Sequence, residues 1–342
     1  MSDRASISNI IKLSIPIFFA NLVIPLVAIV DTGLMGNLDN ASYLTATSIA
    51  TSVFSLIFWS FGFLRMGTVG LVAQAHGSNQ YEEIVNLVFQ NIAFVIIISL
   101  LLVIFQKYIF TIALSIFDLS NETSKYFKEY FEIRIYSSFG ELIIFIITGL
   151  FIGLQRTTIS SVVVGFFSIT NIVLSLIFVI SFDLDVRGVA LGTVLSSTLT
   201  AIIFLCYTFF ELKKFTSIKI NVEKIFNLKK IKKLFNINLD IFIRSALLTF
   251  SFIFFTYLGN TISEDVVAAN TILLNLIMLS AFILDAYAFS TEGIVGYSIG
   301  SKNKTLLTDV IKNSFILSAS TGLFISLIYF VGKDNFISIM TD

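Results

Sequence analysis

Residues 10–36 read IIKLSIPIFFANLVIPLVAIVDTGLMG, an apolar run interrupted by Lys12, two prolines and a single acid, Asp31. Crossing a bilayer's hydrocarbon core takes about 20 mostly apolar residues, so this run is long enough to span one. Runs of the same kind recur along the chain. Setting them against the polar breaks gives nine predicted helices, at 10–36, 44–72, 84–106, 131–154, 159–181, 188–211, 238–259, 266–299 and 306–332. Composition agrees: of 342 residues 56% are hydrophobic and only 13% charged, with a mean hydropathy of +0.93. Soluble domains carry about a quarter charged residues, and half that share cannot solvate a globular surface. The sequence therefore predicts an all-α integral membrane protein with no soluble domain.

Net charge is zero, from 22 basic and 22 acidic residues, which gives no sign of a nucleic-acid partner. Placing the basic residues in loops fixes an expected orientation, because cytoplasmic loops are enriched in Lys and Arg. With the N-terminus inside, thirteen fall on inner segments, eight of them between Lys213 and Lys233, and five on outer loops. Met1 to Asn9 lacks the apolar core and cleavage site of a signal peptide, so the first run is expected to remain in the protein. The lone cysteine, Cys206, is expected to pack and the lone histidine, His76, to lie in a loop. Neither suggests a metal centre, and no phosphate-binding loop for ATP is present.

Sliding the chain on itself by 223 positions aligns Phe19 with Phe242, Gly36-Asn37 with Gly259-Asn260, Gly70 with Gly293 and Gly77-Ser78 with Gly300-Ser301. An offset of six helices, an even number, makes the halves parallel repeats, an architecture of transporters. The expected organisation is a six-helix lobe over 1–212, a basic cytoplasmic linker over 213–237 that also touches anionic headgroups, and a lobe over 238–342. The second lobe holds only three of six expected helices, so the repeat reads as truncated. Gly67 and Gly70, Gly149 and Gly153, and Gly188 and Gly192 have the small-residue spacing of close helix contacts.

An ionisable side chain near the bilayer centre costs about 2.5 to 3.5 kcal/mol on insertion scales and marks a functional position. Asp31, Glu141, Asp240, Asp285 and Glu292 qualify. Asp31 lies about 8 Å below the outer end of its helix, whereas Arg65 falls about 30 Å from that face, too far to neutralise it. A carboxylate without a nearby cation and partly out of water is disfavoured in its charged form, which suits a proton carrier. Pro25 removes one backbone hydrogen bond and is a bending point. Asn171 and Ser175 share a face of the fifth helix at the level of Asp31, with Thr193 at a similar depth in the sixth. Toward the inner side, Asp240 and Arg244 are spaced to pair on one helix face, while Arg244 and Glu292 are level and Asp285 shares the face of Glu292. Together with Arg65 these form an expected inner charged network or gate. Glu141 has no partner legible in the sequence.

Several stretches resemble the multidrug and toxic compound extrusion (MATE) transporters, in their DinF-like branch. They are Ile15-Pro16, Pro25 with Val30-Asp31-Thr32-Gly33, Gly62-Phe63-Leu64-Arg65-Met66-Gly67-Thr68, Ala73-Gln74-Ala75-His76-Gly77, Gly149-Leu150-Phe151-Ile152-Gly153, Asn171-Ile172-Val173-Leu174, Asp240-Ile241-Phe242-Ile243-Arg244, and Leu284-Asp285 before Glu292-Gly293. The resemblance implies two six-helix lobes, of which this chain looks like helices one to nine. It further implies alternating-access export of amphipathic or cationic small molecules, including drugs, across the bacterial inner membrane. Energy would come from a proton gradient, with sodium as the alternative, and without a cofactor. It assigns proton coupling to Asp31, helix bending to the region of Pro25, and polar partners of the acid to Asn171, Ser175 and Thr193; the family often has Asp or Asn where this chain has Ser175. Two other readings stay open: a lipid-linked oligosaccharide flippase of related plan, and a non-transporting remnant or assembly partner completed by a separate chain.

Overall fold

The computed structural model describes residues 3–117, 119–215 and 228–333. After a short 3-10 turn, Asp3–Ala5, come α1 (Ile7–Gly36), α2 (Ala41–Ser60), α3 (Phe63–Gly77), α4 (Tyr81–Ile104), α5 (Gln106–Ile116) and α6 (Asn121–Arg134). There follow α7 (Ser138–Gly153), α8 (Thr157–Leu176), α9 (Asp185–Lys213), α10 (Leu228–Asn260), α11 (Glu264–Gly300) and α12 (Lys304–Val331). A π-helical turn, Ile177–Ser181, extends α8. Among the described residues, eight helical stretches are long and apolar enough to cross a membrane, α2–α3 and α6–α7 each counting as one. The protein is an all-helical, multi-pass membrane protein. The core of the expected basic linker, 216–227, lies outside the described residues.

Short polar side chains start the helices where the hydrophobic runs begin. Ser6, Asn40, Ser120, Ser263 and Asn303 each accept a hydrogen bond from a first-turn amide, satisfying donors that the helix itself leaves free. α1 runs unbroken through both Pro16 and Pro25.

Two expectations about helix boundaries change. The helix expected over 44–72 is two, because Phe61 and Gly62 interrupt it. The stretch before residue 131, expected as an outer loop, holds α5 and α6. α6 is too charged for an apolar scan, yet it buries Thr123, Phe127, Tyr130 and Phe131 along one face, the spacing of an amphipathic helix.

α7 is central to the helices before residue 213, with thirteen buried residues between Ser138 and Gly153; its neighbours include α3, α4, α8 and α9. Glycines allow this density. A Cβ on Gly149 would lie 2.7 Å from the Arg65 carbonyl and one on Gly192 would lie 2.7 Å from Ser175 Oγ, so α7 seats on α3 and α9 on α8. Gly153 and Gly188 meet neighbouring helices in the same way, whereas the Cβ position of Gly70 is open. Cys206, expected to pack, lies on the exposed face of α9, where apolar side chains such as Ile202 and Phe210 also point outward.

α1 and α11 join the helices before residue 213 to those after residue 228. α1 packs against α8 and α11, Ser14 and Ser290 bringing their hydroxyls to 2.7 Å. Ile17, Val69, Ile152, Ala286 and Phe289 form a shared apolar cluster between α1, α3, α7 and α11.

The turns after α3 and after α11 are built alike. Backbone bonds run from Ser78 to Gln74, Asn79 to His76 and Gln80 to Ala75, and again from Ser301 to Tyr297, Lys302 to Ile299 and Asn303 to Ser298. Asn79 and Lys302, at φ 57° and 54°, both take the left-handed conformation.

Candidate functional site

Asp31 lies in the penultimate turn of α1, against α8. Because Gly192 has no side chain, α9 comes close enough to α8 to place Thr193 beside Asn171. Asn171 Nδ2 donates to Thr193 Oγ1 at 2.9 Å and to Ser196 Oγ at 3.5 Å. Asn171 and Ser175 are fully buried and Thr193 nearly so. The groups that act on Asp31 are Arg134 of α6 and Ser175 of α8, and Tyr130 of α6 faces it as well. Three atoms of this cluster, Asp31 Oδ1, Asn171 Oδ1 and Ser175 Oγ, are buried with no hydrogen-bond partner among the described residues. A buried polar atom left unpaired costs about 1–3 kcal/mol; the Ser175 hydroxyl has one proton to give, while Asp31 Oδ1 and Asn171 Oδ1 are two acceptors, so the cluster is one donor short.

The structure therefore gathers Asp31, Asn171, Ser175 and Thr193 in one place, with Pro25 six residues earlier on α1. It also changes one expectation: Asp31 has a cation within electrostatic range. The sequence expectation weighs only Arg65 as a partner, although a helix over 131–154 carries Arg134 within one turn of its outer end. The actual α6 ends at Arg134 and turns through Ile135–Ser137 into α7. The same residue is the partner of Glu141, since Arg134 Nη1 bonds both Glu141 Oε1 and Ser137 Oγ. Phe54 and Phe58 of α2 lie 5.1 and 5.3 Å from the guanidinium. The signal in the sequence is a basic and an acidic residue seven positions apart on one helix face, brought into contact by the turn at Ile135–Ser137 that the expected continuous helix lacks.

The expected inner network assembles in part. Arg65 sits 3.9 Å from the centre of the Phe289 ring and within electrostatic range of Glu292 and Asp285. Arg244 also acts on Glu292, and its Nη2 lies 3.3 Å from Met66 Sδ. Asp240 and Arg244 are both exposed, and no ion pair joins them among the described residues. The guanidinium turns toward α3 instead of along its own helix, so Asp240 stays apart from the group.

A second polar layer closes the end of the molecule that carries the N-terminus. His76, expected in a loop, occupies the last turn of α3, with the rings of Tyr81 and Tyr297 at 5.9 and 5.3 Å. Arg4 covers the other ring at 4.1 Å from Tyr297 and donates to Gln155 Oε1 at 3.1 Å. Arg156 and Lys214 both bond Glu211.

A half-buried acid on a proline-bearing helix, set in a bundle of helices long and apolar enough to cross a membrane, is the kind of position a membrane transporter uses. The chain belongs to the MatE family, whose profile matches residues 16–177 and 241–342; members of this family are transporters and not enzymes. It is similar to DNA damage-inducible protein F of Escherichia coli (strain K12), 29% identical over 331 residues that make up 96% of this chain and 72% of that protein. It is 23% identical over 242 residues to the multidrug export protein MepA of Staphylococcus aureus (strain bovine RF122 / ET3-1), covering 70% of this chain and 52% of MepA. Solved structures share the fold. A transporter of the MOP superfamily from Pyrococcus furiosus superposes with a TM-score of 0.86 at 20% identity, over 97% of this chain and 73% of that one. A MATE protein in its bent conformation gives 0.88 at 19% identity, over 97% and 74%. Family membership and the shared fold make the protein a membrane transporter.

Proposed function

We propose that this protein exports amphipathic or cationic small molecules by proton antiport through alternating access. The observation that carries the reading is the donor-poor cluster around Asp31. The single hydroxyl proton of Ser175 can serve Asp31 or Asn171 Oδ1 but not both, and a proton on the carboxylate adds the second donor that this cluster lacks. Uptake and release of that proton therefore change the bonding between α1 and α8. α1 also packs on α11, so a change in its shape at Pro25 is felt on both sides of the translocation path. This arrangement supports reading α1 as the coupling element, with Asp31 as carrier and Asn171, Ser175 and Thr193 as its partners. Arg65, Asp285, Glu292 and Arg244 form the charged group of the opposite membrane half.

The finer architecture belongs to the same reading: nine crossings with α10 as the seventh, the N-terminus in the cytoplasm, and parallel repeats 223 residues apart. The matched turns after α3 and α11 support the repeat.

The test is transport by the purified chain in liposomes with an imposed pH gradient and a fluorescent cationic drug. Gradient-driven movement that disappears in Asp31→Asn is the expected result. Movement that persists in Asp31→Asn, or that follows a sodium gradient alone, overturns the assignment.

A further inference from the structure

The Arg134–Glu141 pair stands next to the coupling acid and has no part in the function as read so far. Arg134 has two carboxylates within range and bonds only one of them. Its Nη1 is committed to Glu141 and Ser137, and Ser137 Oγ bonds Glu141 Oε1 at 2.8 Å and its own turn's Arg134 carbonyl at 2.8 Å. The two charged side chains are only 12% and 14% exposed, and Phe54 and Phe58 flank the guanidinium. In such surroundings a cation pairs with an ionised carboxylate at close range, since a charge left uncompensated out of water is costly. The other groups facing Asp31 are Tyr130 of the same helix and Ser175 of α8. The cluster thus contains one fixed cation and two acids. It balances when Arg134 is held by Glu141 and Asp31 carries a proton.

We propose that Glu141 is a positioning residue of the coupling site, holding Arg134 away from Asp31 so that the acid remains free to take up and release its proton. This rests on the reading of Asp31 as the coupling acid. If Glu141 loses its charge, Arg134 is released to Asp31 and pins it in the ionised form. If Arg134 loses its charge instead, Glu141 becomes an unpaired carboxylate that opposes ionisation of Asp31. The two single changes act in opposite directions, and removing both charges together cancels them.

The experiment reads Asp31 directly. The full chain in detergent is treated over a pH series with dicyclohexylcarbodiimide, which modifies protonated carboxyl groups in apolar surroundings, and the Asp31 peptide is quantified by mass spectrometry. Opposite charges within about 4–6 Å shift such titrations by about one unit or more. Glu141→Gln is therefore expected to move the labelling midpoint to lower pH by about one unit, Arg134→Gln to move it to higher pH, and the double variant to return it near the starting value. Glu141→Asp keeps the charge and stays near the starting midpoint. A purely structural role would give shifts of one sign, or none, and that result in folded variants overturns the proposal. Should Glu141→Gln fail to fold, the comparison of Arg134→Gln with the double variant decides, because a double variant that stays with Arg134→Gln overturns it equally. Labelling requires no transport. A chain that labels as expected but moves no drug overturns the transport reading and with it the coupling role, while the hold of Glu141 on Arg134 beside Asp31 stands.

Discussion

Gly77 of α3 lies directly on the backbone carbonyl of Tyr297 in α11, and 223 positions later Gly300 lies in the same way on the carbonyl of Gln74. Between them Gly296 faces Ala73, where an added Cβ would come within 2.6 Å. The ends of the two helices meet backbone to backbone through an exchanged pair of contacts. Arg4 and His76 frame the same place by covering the Tyr297 ring.

This contact predicts a sharp difference among glycines. Gly77→Leu or Gly300→Leu forces the helix ends apart and is expected to cost about 1–3 kcal/mol, the usual penalty of overpacking. Gly165→Ala, where nothing lies within 4 Å, should leave stability unchanged or raise it slightly. Thermal unfolding in detergent separates the two outcomes.

Ser14 and Ser290 form the buried polar link between α1 and α11. Interhelical side-chain bonds in membranes contribute about 0.6 kcal/mol on average. A double-mutant cycle with Ser14→Ala and Ser290→Ala should return a coupling of about that size. A value near zero would show that apolar packing alone joins the two helices.

Orientation is open to labelling. In a Cys206→Ser background, Asp39→Cys after α1 should react in intact cells with a membrane-impermeant maleimide. Ser78→Cys after α3 should react only once the membrane is opened. The reverse pattern would place the N-terminus outside.

Glu211, with its side chain only 6% exposed, holds Arg156 and Lys214 at the end of α9. Both partners reach well into solvent, at 38% and 52% exposed, so Glu211→Ala is expected to cost only about 1 kcal/mol. The loss should shrink in high salt, and unfolding measured at two ionic strengths checks it.

The membrane-crossing helices were legible because a bilayer demands long apolar runs, and Asp31 stood out because an acid inside such a run is costly. Its neighbours on α8 and α9 could be placed by depth, since the rise along a helix is fixed. α6 escaped notice because its charged residues, among them Lys128 and Glu132, share a short helix with a buried aromatic face, and a search for apolar runs sees only the charge. Arg134 and Glu141 both lie in the helix expected over 131–154, where seven positions are about 10.5 Å of rise; the turn through Ile135–Ser137, which no apolar pattern marks, lets them pair. The Asp240–Arg244 pair failed for a different reason. Spacing along one helix permits a contact, but the long arginine side chain is free to turn to Met66 on a neighbouring helix, which no local pattern reveals.

Pro16 and Pro25 each remove one rung from the hydrogen-bond ladder of α1, at the carbonyls of Lys12 and Asn21. They are nine residues apart, and at 3.6 residues per turn that places them about 180° apart around the axis. Bends at the two sites therefore point in opposite directions. Two opposed bends of similar size would tilt the short middle section and leave the two ends nearly parallel but offset, like the arms of a crankshaft, so bending at both sites would carry the end bearing Asp31 across the bundle with little tilt against the end held by Ser14.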